Sequence, residues 1–81
     1  MFIYKTSGVC STEIHLDVED NKIKYIEFVR GCQGNLKGIC ALVKGMDIDD
    51  AINRLSGIEC GPRSTSCPDQ LSKALLQYKN N

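Results

Sequence analysis

The sequence predicts an α+β domain: a three-stranded antiparallel meander followed by three helices packed on one face of it. Two observations carry that prediction. Residues 2–30 read as strands, with strict apolar–polar alternation over residues 13–18 and β-branched or aromatic runs on either side. From residue 35 onward the apolar residues change to helical spacing, at i, i+3, i+4 and i+7. Polar or glycine-containing stretches punctuate the junctions between these segments.

The first strand is Phe2-Ile3-Tyr4-Lys5-Thr6, a short β-prone run closed by the turn signal Ser7-Gly8. The second is Glu13-Ile14-His15-Leu16-Asp17-Val18, which puts Ile14, Leu16 and Val18 on one face and Glu13, His15 and Asp17 on the other. Glu19-Asp20-Asn21-Lys22 suits a hairpin loop of about four residues. The partner strand returns over residues 23–30, rich in isoleucine and aromatics. Asn35 can cap a first helix whose stripe is Leu36, Ile39, Cys40 and Val43, and Gly45 ends it. Asp47 caps a second, with Ile48, Ala51, Ile52 and Leu55 inward until Ser56-Gly57. A third starts around Cys67-Pro68, since proline suits the first turn of a helix. Asp69 and Gln70 supply an acid and a capping partner there, and Leu71, Ala74, Leu75 and Tyr78 form its apolar stripe. The tail Lys79-Asn80-Asn81 is expected to fray.

The chain's 81 residues suit one domain spanning residues 1–81, with no linker or internal repeat. Ten Lys/Arg balance ten Asp/Glu, which removes any general attraction to nucleic acid or an anionic membrane. No apolar run reaches the roughly 18 residues that span a bilayer. The start, Met1-Phe2-Ile3-Tyr4-Lys5, lacks the pattern of a secretory signal, so a cytoplasmic location is expected. A chain this short builds a marginal core and commonly gains a staple from metal, disulfide or partner.

Five cysteines, at positions 10, 32, 40, 60 and 67, are the unusual feature. An odd number without an export signal argues against a secreted disulfide framework and toward metal or thiol chemistry. Cys40 lies on the apolar stripe of the first helix and reads as core. Cys10, Cys32, Cys60 and Cys67 all fall in connections or at helix entries, three of them next to or near glycine. In a meander, the first loop and the exit of the third strand share one edge. The first and third helices would start from that edge, bringing Cys32 and Cys67 toward Cys10. Helix N-termini favour thiolates, and four thiolates make a tetrahedral Zn²⁺ site. Zn²⁺ is therefore the expected cofactor, with an iron–sulfur cluster as the alternative. No C-x2-C pair of a zinc finger is present.

Thr65-Ser66-Cys67-Pro68-Asp69 spells the motif that names the TSCPD domain. With Val9-Cys10-Ser11, Gly31-Cys32-Gln33-Gly34-Asn35-Leu36 and Gly57-Ile58-Glu59-Cys60-Gly61, nearly the whole chain resembles the small stand-alone members of that family. A related domain ends certain ribonucleotide reductases, so the resemblance implies a reductase as a partner or lineage. The chain is too short for the reductase barrel itself. The order Val9-Cys10-Ser11, hairpin, Gly31-Cys32 and then residues 42–51 is similar to NifU-like scaffold proteins for iron–sulfur assembly. That resemblance implies three converging cysteines, matching Cys10, Cys32 and Cys67, and an assembly partner. The scaffold pattern carries an aspartate where this chain has Thr12 and a histidine where it has Ser66. The additional Cys60 would complete a closed thiolate set.

The expected function is a non-enzymatic metal-binding domain using Cys10, Cys32, Cys60 and Cys67. The alternative is an accessory or redox component of deoxynucleotide synthesis, with Cys60 and Cys67 as a dithiol. A nucleotide reading rests on Arg63-Ser64-Thr65-Ser66 before a helix N-terminus, without a glycine-rich phosphate loop. No catalytic residue is assigned. His15 sits on a polar strand face, Glu27 lacks a matched carboxylate, and the helix dipole accounts for Asp69 and for Asp47, Asp49 and Asp50. The chain is expected to be a monomer or a homodimer joined through a strand edge.

Overall fold

A computed structural model describes residues 1–31 and 33–80, with the backbone alone for Gln33. Three antiparallel strands, β1 (Phe2–Lys5), β2 (Glu13–Glu19) and β3 (Lys22–Val29), pair in sequence order. Three helices follow, α1 (Gln33–Val43), α2 (Ile48–Leu55) and α3 (Cys67–Asn80). The architecture is the α+β meander-and-helices arrangement that the change of period predicts.

The register sets which side chains face inward. Phe2 pairs with Leu16 and Tyr4 with Ile14, while Ile14 pairs with Phe28 and Leu16 with Ile26. Ile14 and Leu16 are fully buried, whereas Val18 is only half-buried because a bulge at Asp17/Val18 interrupts the alternation. The β2–β3 loop is tighter than expected. Glu19 pairs with Lys22, leaving two turn residues, Asp20 and Asn21, both in the left-handed region with φ of 54° and 65°. Two consecutive left-handed residues match the twist of antiparallel strands, and Asp and Asn tolerate that conformation better than most side chains. Asn21 Nδ2 also donates to the Asp47 carboxylate at 3.2–3.3 Å.

Two helix ends depart from expectation. α1 begins at Gln33, two residues before the expected cap at Asn35. Arg30 and Gly31 both take positive φ, 65° and 98°, so the chain reverses directly after β3 and the helix starts sooner. α3 runs to Asn80 rather than fraying at Lys79, whose ammonium pairs with the Asp49 carboxylate of α2. Asn81 lies outside the described residues. α2 matches its expected limits, with Asp47 Oδ1 accepting the Asp49 N–H at 3.0 Å.

The outer edge of β3 is covered by the α1–α2 connection. Gly45 N donates to Ile23 O at 2.7 Å, and Ile23 N donates to Met46 O at 3.0 Å. The core lies between sheet and helices, where Ile14, Leu16, Ile23, Ile48, Leu71 and Leu75 are fully buried. Each such side chain gains about 1.5–3 kcal/mol from leaving water. Cys40 is half-buried and packs against this core, and burial pushes its thiol pKa up. At the far end of α3, Tyr78 meets Phe2 edge-on, with ring centroids 5.6 Å apart. The C-terminal end of α3 thus lies over the start of β1. Its N-terminal end reaches the loop that follows β1.

Candidate functional site

That loop, residues 6–12, closes on itself and on β3. Thr6 Oγ1 donates to Ser11 O at 2.5 Å, and Thr12 N donates to Val29 O at 2.8 Å. Gly31 packs directly beneath it. A Cβ at Gly31 would stand 3.3 Å from both Cys10 Sγ and Ser11 N and 2.8 Å from Leu36 Cδ1, in a backbone conformation that disfavours any side chain. The first loop, the exit of β3 and the entry of α1 therefore meet at one end of the sheet.

The N-terminus of α3 completes that meeting point. Cys67 is the first helical residue and only 8% exposed. Its Sγ lies 3.9 Å from Cys10 Sγ and 3.2 Å from the buried Ser11 hydroxyl. Cys60 lies exposed in the α2–α3 connection, where Cys60 N donates to Thr65 O at 3.3 Å and Arg63 N donates to Cys60 O at 3.0 Å. Cys10, Cys60 and Cys67 all line one open groove of about 580 Å³, whose apolar wall includes Leu36, Ile39, Leu42 and Pro68. Of the four cysteines expected to converge, two are in contact and a third shares their groove. Cys32 lies outside the described residues, while its neighbour Gly31 abuts Cys10. Among the described residues, no group of three or more His, Cys, Asp or Glu side chains is arranged to hold a metal ion.

The residues around Cys67 form a hydrogen-bonded clamp. Ser66 Oγ accepts the Asp69 N–H at 3.2 Å, as an N-cap does, and donates to Ile58 O at 2.6 Å. The Asp69 carboxylate, 4% exposed, accepts Gly57 N–H at 2.7 Å and the Thr65 hydroxyl at 2.5 Å, and pairs with Lys73 at 3.1 Å. The Thr65 hydroxyl, with the Gly57 amide and Lys73, holds the Asp69 carboxyl below the usual carboxylate range against the opposing effect of burial. Gln70 reaches the other way: Oε1 accepts Ser7 N–H at 3.2 Å, and Nε2 donates to Thr65 Oγ1 at 3.0 Å. Asp69 thus ties the Cys60 loop to α3, and Gln70 ties the Cys10 loop to it. The helix dipole alone does not account for Asp69.

A family model for the TSCPD domain matches residues 2–79. The chain belongs to the TSCPD domain family. No curated protein and no solved structure matches it. In this TSCPD domain the five eponymous residues have distinct local roles. Thr65 links Asp69 to Gln70, and Ser66 caps the helix. Cys67 presents its sulfur to Cys10, Pro68 needs no N–H partner in the first turn, and Asp69 anchors Gly57. Sequence reading takes Thr65 as part of a phosphate-facing loop and Gln70 as a capping partner; their links to Asp69 and Ser7, and the Ser11–Cys67 contact, come only from the structure. The local signal pointing at the clamp is the acid and capping partner, Asp69 and Gln70, in the first turn of α3.

None of the described helices is long and apolar enough to cross a membrane.

Proposed function

We propose that this TSCPD domain is a non-enzymatic metal-binding domain whose ligands are Cys10, Cys32, Cys60 and Cys67, with Zn²⁺ as the favoured ion. The carrying observation is the Cys10–Cys67 sulfur separation of 3.9 Å. Two thiolates bound to one tetrahedral zinc, with Zn–S of about 2.3 Å, stand about 3.8 Å apart. The donor set fits a soft or borderline metal, since all four candidates are sulfurs. The Ser11 hydroxyl at 3.2 Å from Cys67 Sγ supplies the kind of outer hydrogen bond that orients a thiolate ligand. Cys60 borders the same groove, and Cys32 follows Gly31, which packs on Cys10. The ion's role is structural: it joins the first loop, the α2–α3 connection and two helix entries. A reducing compartment such as the cytoplasm keeps the four sulfurs available.

Metal analysis of the purified protein tests this directly. About one equivalent of zinc is expected, with a sulfur-to-cobalt charge-transfer band on Co²⁺ substitution. Less than a tenth of an equivalent of any transition metal, together with no Co²⁺ band, overturns the proposal.

The exposure of Cys60 supports a second reading, in which three sulfurs hold a nascent iron–sulfur cluster as in NifU-like scaffolds. Cys10, Cys32 and Cys67 would then suffice, and an assembly partner would take the cluster. Cys60→Ser separates the two: the four-sulfur site loses most of its zinc affinity, whereas a three-sulfur site retains its cargo. The redox-accessory and nucleotide readings, with a ribonucleotide reductase as partner, gain less support. The Thr65 and Ser66 hydroxyls that would greet a phosphate already donate to Asp69 and to Ile58 O.

A further inference from the structure

We infer that Cys10 and Cys67 are a thiol–disulfide modification site, at which oxidation locks the first loop to α3. Three observations converge on this pair. The sulfurs lie 3.9 Å apart, so closure to the roughly 2.05 Å of a disulfide needs a small movement. The two thiols also differ in setting: Cys10 is exposed in a loop, whereas Cys67 is buried at a helix start. The pair is also asymmetric in access, which orders the chemistry. The sequence spacing had suggested Cys60 with Cys67, but the structure sets Cys10 against Cys67.

With glutathione disulfide as oxidant, the exposed Cys10 thiolate attacks one glutathione sulfur and expels glutathione thiolate. A Cys10–glutathione mixed disulfide results. Cys67, as thiolate, then attacks the Cys10 sulfur, the Cys10–glutathione bond breaks, and a second glutathione thiolate leaves. The two cysteines lose two electrons and two protons, and glutathione disulfide becomes two glutathione molecules. Cys10 acts first because it is the more exposed of the two thiols, Cys67 being only 8% exposed. Coupling of this step to metal release rests on the metal-binding reading above. A sulfur joined in a disulfide is no longer a thiolate ligand, so oxidation removes two of the four donors at once.

The test uses the full chain, stripped with a chelator and incubated with glutathione disulfide, followed by alkylation and peptide mapping. The expected product is a linkage between the Cys10 and Cys67 peptides, reversed by dithiothreitol. It should form equally in Cys40→Ser, whose lost thiol faces a different pocket, and be absent in Cys10→Ser and Cys67→Ser. Mapping the wild type alone decides the matter if a variant fails to fold. Alkylation of both cysteines after oxidation, or a dominant linkage between any other pair, overturns the inference. Zinc-loaded protein provides the second arm. Zinc binding without any Cys10–Cys67 disulfide after chelation sinks the inference and leaves the metal reading standing. A disulfide in a protein that binds no zinc sinks the metal reading and supports the inference.

Discussion

Asp69 concentrates more of the site's order than any other single residue. Its carboxylate is buried yet satisfied by a backbone N–H, a hydroxyl and a lysine, and those donors favour the charged form. Because its folded pKa is lowered, the stability it contributes is present above the unfolded carboxylate pKa, near 3.9. It is lost as pH falls through the lower folded value. Asp69→Asn keeps the shape but cannot accept from all three donors. It should cost about 1.5–3 kcal/mol at pH 7 and flatten the fall in stability between pH 5 and pH 2, as read by urea melts across that range. Gly31 is the second residue with a specific demand. Gly31→Ala adds a Cβ at φ +98° and 2.8 Å from Leu36 Cδ1, and is expected to destabilise by about 1–3 kcal/mol in the same measurement. Neither demand was visible locally: Asp69 reads as a first-turn acid, and Gly31 as turn punctuation.

At the level of elements, α3 is the one that links core to site. Leu71, Ala74 and Leu75 are fully buried in the core, while the residues at its N-terminus hold the two cysteine loops. Packing therefore sets the axial position of Cys67. Leu75→Ala should cost about 2–5 kcal/mol by calorimetry or denaturant titration, through lost burial and the cavity left behind. The helical spacing in the sequence located this stripe correctly, as it did that of α2. Element ends were less legible. The two-residue turn at Asp20 and Asn21 and the early start of α1 after Arg30 and Gly31 depend on left-handed backbone at non-glycine and glycine positions alike. Those choices are settled by pairing and by reversal of the chain, not by periodicity.

Over the whole molecule, the two ends of the sheet are closed in different ways. The far end is closed by Tyr78 on Phe2 and by the connection along β3. The near end depends on hydrogen bonds through Ser66, Asp69 and Gln70 and, in the proposed function, on a bound metal. A structural zinc contributes about 10–16 kcal/mol of apparent binding energy at neutral pH, comparable with the whole stability of a small domain at about 5–15 kcal/mol. Chelation is therefore expected to lower the melting temperature by at least about 10 °C, with recovery on adding zinc and not magnesium. An unchanged melting curve after complete metal removal would separate fold stability from the thiol site.

The sequence alone determined the architecture, the apolar faces and the choice of cysteines worth following, because periodicity and turn chemistry are written within a few residues. Tertiary structure decided which sulfurs meet and what holds them there. The contacts that do so join Ser7 to Gln70 and Cys10 to Cys67, pairs 63 and 57 residues apart. Separations of that length leave no local pattern; they arise only when α3 is laid along β1 by the burial of Leu71, Ala74 and Leu75 and its first turn is carried to the opposite end of the strand.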